Sequence, residues 1–260
     1  MIYKIAIFIP VFFMSCFPAA CSGGGEIKAI HKRGELRVGV KSDVPRFGFL
    51  NLDNDELEGM EIDIARMIAK DILGDENAVK FIIVGGAQTR AAMLKNGEID
   101  IAIATFTITE ERRKEFNFSR PYFTDELGSL VRADSKINEL KDLDGRIAGV
   151  VRGSTAKTAF ENECLKLEID VTVLEFANYP EIKEALITGK IDAFVSDKSI
   201  LYGYSDEESV LLNDRFNPQR YGIAGKIENR KLARRVETVL DTMEKNGDLT
   251  AIFEKWGLHP

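Results

Sequence analysis

Residues 99–123 read IDIAIATFTITEERRKEFNFSRPYF and place an apolar strand, a Thr-Ile-Thr turn and two adjacent arginines in one short segment. Residues 99–104 have the apolar run of a buried strand, and Thr109 followed by two glutamates has the pattern of a helix N-cap. A guanidinium three residues beyond such a cap can turn back over the strand end, where its planar fork matches a carboxylate. The segment therefore predicts a strand-turn-helix unit that holds an anion through Arg112. Composition alone also allows a solvated helix face, because charge runs usually face water.

Strands and helices alternate along the rest of the chain. The predicted strands start at residues 35, 79, 99, 146, 171 and 191, and the predicted helices start near residues 59, 87, 153 and 180. Such alternation is typical of open α/β sheets. Residues 96–100 and 188–192 both carry a Gly-Glu/Lys-Ile-Asp motif ahead of an apolar strand, so we expect two halves of similar architecture.

Four motifs resemble the bacterial extracellular solute-binding proteins, family 3, which serve polar amino-acid ABC importers. They are residues 99–123, GMEIDIARMIAKDIL from Gly59, VVRGSTAKTAFE from Val150 and KIDAFVSDKSIL from Lys190. The resemblance covers nearly the whole chain beyond its leader. It implies an α/β fold of the type II periplasmic-binding-protein class, with two lobes that are each an open α/β sheet and that are joined by two crossing strands. The segments GVKSDVPRFGF, ATFTITEER, NYPEIKEAL and DKSILYGY are most similar to the subgroup that binds aspartate and glutamate.

The two halves are not separated by a Gly/Ser-rich linker, which indicates chain crossings that are themselves strands. We expect lobe 1 to comprise residues 28–121 and 226–260, lobe 2 to comprise residues 127–220, and hinges to lie at 122–126 and 221–225. A ligand that contacts both lobes only when they are closed would drive a hinge motion.

The N-terminus has the pattern of an export signal. A single charge at Lys4 precedes an apolar run that Pro10 interrupts, and this run is shorter than the roughly 20 residues that span a bilayer. The sequence Ala-Ala-Cys-Ser-Gly-Gly-Gly around Cys21 resembles a lipoprotein cleavage site and tether. We therefore expect a signal peptide at 1–20, lipidation of Cys21, a tether at 21–27 and a membrane-anchored protein of the periplasm or cell surface. Simple cleavage that releases a periplasmic protein is the alternative.

Charge and residue counts narrow the classes of function. The chain has 42 acidic against 35 basic residues, so a nucleic-acid partner is not expected. Cys164 is the only cysteine beyond the leader region, so we expect no internal disulfide. His31 and His259 stand apart from any ligand cluster, so neither a metal site nor a cofactor is predicted. We expect a monomer.

The family resemblance assigns roles toward the backbone groups of an amino-acid ligand. Arg112 and Thr107 hold its α-carboxylate, while the Thr105 carbonyl, the Thr107 hydroxyl and Asp197 accept from its α-ammonium. Taken alone, Asp197 also has the pattern of an N-cap for a helix that begins at Lys198.

Ser154 and Thr155 follow Gly153 at a predicted helix start, where exposed N–H groups and the helix dipole favour an anion. An ordinary N-cap explains the same pattern. The segment lacks the Gly-Lys-Ser/Thr of a phosphate-binding loop, which argues against a nucleotide.

For the ligand's side chain the prediction rests on charge, because a distal carboxylate that loses water needs a cation. Arg90 is the first choice, since it begins a helix at the carboxyl end of a strand, and Lys41 is the second. Tyr179 is expected to close the pocket from lobe 2, and Phe47 either covers the ligand's methylenes or belongs to the core. A solvated helix face is the alternative for Arg90, and an ordinary surface position for Lys41 and Tyr179.

These features predict a binding component that captures an acidic L-amino acid, aspartate or glutamate, and delivers it to an ABC permease of the inner membrane. The chain carries no nucleophile-base pair, Gly-x-Ser-x-Gly elbow or metal spacing, so we expect no enzyme activity. Two alternatives stay open: the same fold also resembles exported arogenate or prephenate dehydratases, and a surface adhesin or sensor could use the same lobes.

Overall fold

The computed structural model describes residues 25–258. The predicted signal peptide at 1–20 and the predicted lipidation site at Cys21 lie outside this range. Helix α1 (Gly25–Arg33) begins inside the predicted tether, whose last three residues are therefore helical rather than extended. Of the helices that the structure describes, none has the length and apolar character needed to cross a bilayer.

The helices and strands alternate in the predicted order. Among residues 25–258 the remaining helices are α2 (Met60–Leu73), α3 (Ala87–Asn96), α4 (Glu110–Arg113), α5 (Ala156–Leu167), α6 (Tyr179–Ile187), α7 (Lys198–Tyr204), α8 (Arg230–Lys245) and α9 (Asp248–Lys255). The strands are β1 (Leu36–Val40), β2 (Asp43–Val44), β3 (Gly48–Asn51), β4 (Glu56–Glu58), β5 (Val79–Ile83), β6 (Ile101–Ala102), β7 (Phe116–Phe118), β8 (Phe123–Arg132), β9 (Ile147–Val151), β10 (Thr172–Phe176), β11 (Ala193–Asp197), β12 (Ser209–Leu211), β13 (Phe216–Tyr221) and β14 (Ala224–Lys226).

Lobe 1 is built on a five-stranded sheet in the order β5-β1-β6-β14-β7. Strands β5, β1 and β6 are parallel, and β14 runs antiparallel to β6 and β7. Helix α2 buries Ile62, Ile68 and Ile72 in the core that it shares with β1, and these residues form an apolar stripe along its sequence. A small three-stranded sheet, β2-β3-β4, follows β1 at the edge of the lobe.

The strand predicted at 99–104 is regular only at β6, Ile101–Ala102. Its flanks still bond to β1, because the N–H of Asp100 donates to the Arg37 carbonyl and that of Ile103 donates to the Gly39 carbonyl, each at 2.9 Å. The chain then turns sharply at Thr105, whose φ is 45°. The strand therefore ends early because the turn that follows it has a left-handed residue.

Lobe 2 is built on a second sheet in the order β10-β9-β11-β8-β12, with β13 also paired to β8. Strands β10, β9 and β11 are parallel, and β8 is antiparallel to β11. Together the two sheets confirm the predicted two-lobed α/β fold, in which each lobe is an open sheet with helices packed on it.

The chain passes between the sheets twice, at residues 119–122 and at 222–223. The two crossings are bonded to each other: the N–H of Tyr122 donates to the Tyr221 carbonyl and the N–H of Ser119 donates to the Ile223 carbonyl, both at 2.9 Å. The predicted hinges at 122–126 and 221–225 overlap these crossings. Their motion stays a prediction.

Aromatic rings pack beside the crossings. Phe47 is fully buried, and its ring lies 5.3 Å from that of Phe123 and 6.0 Å from that of Tyr221. Of the two interpretations of Phe47, the burial supports the core one, and its cover of the ligand's methylenes stays a prediction. The alternation of apolar and polar residues in this segment does not distinguish a core ring from a pocket ring.

Candidate functional site

A cavity between the two lobes collects nine of the ten predicted ligand-binding residues. Its lining consists of Lys41, Gly85, Gly86, Ala87, Arg90, Thr105, Thr107, Arg112, Val151, Ser154, Thr155, Tyr179 and Asp197. Most of these residues follow the carboxyl ends of β1, β5, β6, β9 and β11, which is where open α/β sheets bind ligands. Phe47 is the predicted residue that does not line the cavity.

Arg112 turns back over the strand end as the sequence predicts. The Thr109 hydroxyl accepts from the Arg112 N–H at 3.2 Å, which caps α4. The guanidinium donates from Nη1 to the Thr107 carbonyl at 2.7 Å and from Nη2 to the Gly153 carbonyl of lobe 2 at 3.4 Å. Arg112 is half-buried, whereas Arg113 beside it is exposed. The interpretation as a solvated helix face is therefore wrong for Arg112 and correct for Arg113.

Arg90 is buried, which makes its solvated-helix interpretation wrong. Its Nη1 donates to the Ala104 carbonyl, while its Nε has no hydrogen-bond partner among the described residues. The guanidinium carbons of Arg90 and Arg112 lie 3.9 and 4.6 Å from the centre of the Phe106 ring. Burial lowers the pKa of each arginine to about 10, so both remain charged at neutral pH. Sequence reasoning missed Phe106, whose only signal is its place between two threonines of the turn.

Lys41 is buried and ion-paired. Its Nζ lies 2.9 Å from Oδ1 of Asp43, donates to the Gly85 carbonyl at 3.3 Å, and lies 5.4 Å from the centre of the Tyr179 ring. Burial lowers the pKa of Lys41. Tyr179 reaches the cavity from α6 and stacks on Phe194 with ring centroids 6.0 Å apart. Surface positions for Lys41 and Tyr179 are therefore wrong, and the sequence prediction missed the pairing with Asp43.

Asp197 ends β11 and is 9% exposed. Burial and the nearby carboxylate of Asp125 raise its pKa to about 7. Asp197 occupies the N-cap position of α7, as its alternative interpretation predicts, but its side chain makes no capping bond to the helix. Asp125 supplies the capping bond instead, because its Oδ2 accepts from the Ser199 N–H at 3.1 Å. The sequence prediction missed Asp125, which is distant in the chain from the helix that it caps.

Ser154 and Thr155 precede α5. Thr155 forms no capping bond, and its hydroxyl instead donates to Oε1 of Gln219 at 2.7 Å. The Ser154 hydroxyl is buried and has no hydrogen-bond partner among the residues that the structure describes. An ordinary side-chain N-cap at Thr155 is therefore wrong, and the anion-binding role of this helix start stays a prediction.

The lobes also contact each other beside the cavity. The Tyr204 hydroxyl donates to the Asp43 carbonyl at 2.5 Å, and the Arg46 guanidinium lies 4.4 Å from the centre of the Tyr202 ring. A Cβ on Gly203 would lie 2.9 Å from the Pro45 side chain, so the β2–β3 segment and α7 fit closely only with glycine there. These contacts were not predicted, because they join segments about 160 residues apart.

Three proteins of similar sequence align with most of this chain. The model of the family "Bacterial extracellular solute-binding proteins, family 3" matches residues 36–259. The ABC transporter glutamine-binding protein GlnH of Bacillus subtilis is 40% identical, over 88% of this chain and 84% of that protein. The glutamine-binding protein of Geobacillus stearothermophilus is 42% identical, over 82% and 80% of the two chains. The glutamate-binding protein GluB of Corynebacterium glutamicum is 30% identical, over 87% and 79%.

Solved structures of amino-acid-binding proteins superpose on most of this chain. An ancestral arginine-binding protein bound to glutamine superposes with a TM-score of 0.77 at 34% identity, covering 86% of this chain and 98% of that one. An ancestral amino-acid-binding protein, described as a precursor of cyclohexadienyl dehydratase, superposes with a TM-score of 0.79 at 29% identity, covering 89% and 99%. The named sequence relatives are binding proteins, which agrees with the expected lack of catalysis. The expected aspartate/glutamate subgroup is not confirmed. The chain belongs to the bacterial extracellular solute-binding proteins, family 3.

Proposed function

We propose that the protein is the substrate-binding component of an ABC importer for a polar amino acid, and that L-glutamine is its ligand. The observation that carries the proposal is a pair of opposite charges on opposite lobes: Arg112 of lobe 1 and Asp197 of lobe 2 line the same cavity. An α-amino acid carries the complementary pair, a carboxylate and an ammonium on one carbon. Such a ligand contacts both lobes at once and stabilises their closed arrangement.

The turn at 104–107 supplies the remaining groups for the ligand's backbone. Thr105 and Thr107 line the cavity together with Arg112, which supports the roles carried over from the family. The Arg112 guanidinium is held by carbonyl oxygens and pairs with no carboxylate in residues 25–258, so its charge is free for a ligand carboxylate. Charge-assisted bonds of this kind contribute roughly 1.5 to 3 kcal/mol each.

The charge count around the cavity favours a neutral ligand side chain. Three cations, Lys41, Arg90 and Arg112, line the cavity together with Asp197, and three further acids, Asp43, Glu61 and Asp125, lie beside it. Asp43 pairs with Lys41, Asp197 faces Arg112, and the buried Glu61 lies close enough to Arg90 and Lys41 to interact with both charges. A zwitterion with an amide side chain adds no net charge to this set, whereas a further carboxylate adds one buried negative charge. The names of the two relatives at 40 and 42% identity support the same choice.

The second candidate is an acidic ligand, glutamate or aspartate, as the sequence predicts. Arg90 has no carboxylate at ion-pair distance among the described residues, and its Nε has no hydrogen-bond acceptor there. Burial raises the pKa of Glu61 and of Asp197, so uptake of one proton would offset the charge of an anionic ligand side chain. Glutamate is favoured within this class because GluB, at 30% identity, is named for it.

The location and partners follow from the family and the N-terminal pattern. We propose that the protein acts in the periplasm or at the cell surface as a monomer, anchored through a lipid on Cys21, and that it delivers its ligand to an ABC permease. Release and capture would use rotation at the two crossings, the proposed hinges at 122–126 and 221–225.

Calorimetry on the chain without residues 1–20, refolded to remove any small molecule retained from expression, tests the proposal. L-Glutamine is expected to bind more tightly than glutamate, aspartate, asparagine and arginine. Tighter binding of glutamate selects the second candidate. If no amino acid binds, or if prephenate is converted to phenylpyruvate, the proposed function is wrong.

A further inference from the structure

Glu61 is a fully buried carboxylate next to the cavity, with no role in the ligand contacts described above. It lies in the first turn of α2, and its side chain is 0% exposed. The start of this helix is fixed by β3 and the loop before it: the N–H of Met60 donates to the Arg46 carbonyl at 2.7 Å and that of Glu61 donates to the Phe47 carbonyl at 3.0 Å. A Cβ on Gly59 would lie 2.1 Å from that Phe47 oxygen, so the approach requires glycine.

The Glu61 carboxylate holds the ligand-binding turn. Its Oε1 accepts from the Thr105 N–H at 2.6 Å. Thr105 has a φ of 45°, a left-handed conformation that a β-branched residue rarely adopts without support. The carbonyl oxygens on either side of this turn accept from the two arginines, Ala104 from Arg90 and Thr107 from Arg112. Fixing Thr105 therefore also fixes the acceptors that orient both guanidiniums.

The same carboxylate oxygen reaches the first crossing between the lobes. Oε1 of Glu61 also accepts from the Tyr122 hydroxyl, and the backbone of Tyr122 is bonded to Tyr221, the residue that leads into the second crossing. One buried atom thus joins three structures: the start of α2, the turn that carries the ligand contacts, and the paired crossings. The other oxygen, Oε2, has no hydrogen-bond partner among residues 25–258.

We infer that Glu61 is a positioning residue for ligand binding, which sets the Thr105 turn and ties it to the crossing at Tyr122. The inference rests on the proposed function. What the turn and the crossing need from residue 61 is a hydrogen-bond acceptor at Oε1, because both partners are donors to that single atom. Glutamine at this position keeps the acceptor, and alanine removes it.

Three variants test the inference by calorimetry with L-glutamine and L-glutamate. Glu61→Ala is expected to weaken binding of every amino acid that the wild type binds by about 10- to 100-fold, because Thr105 contacts the groups that all amino acids share. Glu61→Gln is expected to restore affinity to within about fivefold of the wild type. Tyr122→Phe, which removes only the crossing's bond, is expected to give an intermediate loss of about three- to tenfold.

A matched control separates positioning from loss of stability. Ile72→Ala removes a buried side chain from the last turn of the same helix, in the same core. It is expected to melt at a lower temperature and to bind with wild-type affinity. Amide hydrogen exchange at Thr105 gives a second readout, which is expected to be faster in Glu61→Ala than in Ile72→Ala, and slow in Glu61→Gln.

The outcomes separate this inference from the proposed function. Wild-type protein that binds no amino acid overturns both. Glu61→Ala that binds as tightly as Ile72→Ala, or that exchanges the Thr105 amide no faster, overturns the inference alone. Ligand binding that is as weak in Glu61→Gln as in Glu61→Ala also overturns the inference. Wild-type affinity in Tyr122→Phe overturns the link between Glu61 and the crossing.

Discussion

The two faces of the cavity hold their charges in different ways. On the lobe 1 face, Arg90, Arg112 and Lys41 donate to backbone carbonyl oxygens, and Lys41 also pairs with Asp43. On the lobe 2 face, Asp197 is buried beside a second carboxylate, and its Oδ1 receives no hydrogen bond from the described residues. The comparison teaches that acceptors of the protein hold the cations of lobe 1, whereas the acid of lobe 2 keeps an oxygen without a hydrogen bond, for which we expect the ligand to supply the partner.

Removal of Arg112 takes a cation from the lobe 1 face of the cavity and is expected to reduce ligand affinity more than any other change. Arg112→Ala leaves a ligand carboxylate buried without its partner, which costs about 3 to 5 kcal/mol, a loss of hundreds-fold or more in affinity. Calorimetry against glutamine and glutamate measures it. The exposed neighbour provides the control, since Arg113→Ala is expected to bind normally. A loss below about tenfold in Arg112→Ala would contradict the role of this residue.

The acid of lobe 2 makes binding depend on pH. Because burial and Asp125 raise the folded-state pKa of Asp197 from 3.8 to about 7, the ligand-free protein takes up a proton that the unfolded chain does not bind in this window. Asp197 therefore lowers the stability of the ligand-free protein as pH rises from about 4 to about 7. A ligand ammonium favours the carboxylate, so the affinity is expected to increase about tenfold or more from pH 5.5 to pH 8.

Thermal unfolding with and without glutamine across this pH range measures both effects. The ligand-induced rise in Tm is expected to grow with pH. The Tm of the ligand-free protein is expected to fall over the same range, because Asp197 must give up its proton in a buried place. In Asp197→Asn the affinity is expected to be weak at every pH and nearly independent of it. A wild-type affinity that stays constant between pH 5.5 and 8 would remove Asp197 from the ammonium site.

Arg90 distinguishes recognition of the ligand's side chain from recognition of the α-carboxylate and α-ammonium that all amino acids share. Arg90→Ala is expected to weaken glutamate and aspartate more than glutamine and asparagine, by a further factor of about five to ten, because only the acids present a second carboxylate. A panel of calorimetric titrations measures the difference. Lys95→Ala, an exposed position on the same helix, is the control. Equal losses for all four ligands would place Arg90 outside the side-chain site.

The contact between Tyr204 and the Asp43 carbonyl tests how much the lobes stabilise closure without ligand. Tyr204→Phe removes one partly buried hydrogen bond, so the affinity is expected to fall by only about three- to fivefold, and dissociation is expected to be faster. Stopped-flow fluorescence measures that rate. An unchanged dissociation rate would show that the ligand alone holds the lobes together.

Much of the fold is predictable because alternating strands and helices leave a strong pattern. The cavity lining is predictable for a related reason: Lys41 directly follows an apolar strand and Asp197 ends one, and parallel strands bring their carboxyl ends to one edge. The resemblance to a family added the roles of Arg112 and Thr107, which composition alone left beside a solvated-face alternative.

The charge partners were less predictable. A buried cation needs an acid, but residue types do not say which of several acids it meets. Asp43 is two positions from Lys41 and was overlooked, while Glu61 meets Thr105 across 44 positions of sequence. Phe47 was left open for another reason, since a large apolar ring satisfies a core and a ligand pocket equally well. The sequence prediction therefore counted cations without their counter-charges, and this count favoured an acidic ligand.

The pairing of the two crossings limits how the molecule can open. Because Tyr122 is bonded to Tyr221 and Ser119 to Ile223, the two crossings form one short ribbon, which can twist without breaking either bond. We therefore expect a single soft degree of freedom between the lobes, a rotation whose axis runs through this short ribbon. Groups close to the ribbon would travel little during that rotation, and groups farther from it would travel more.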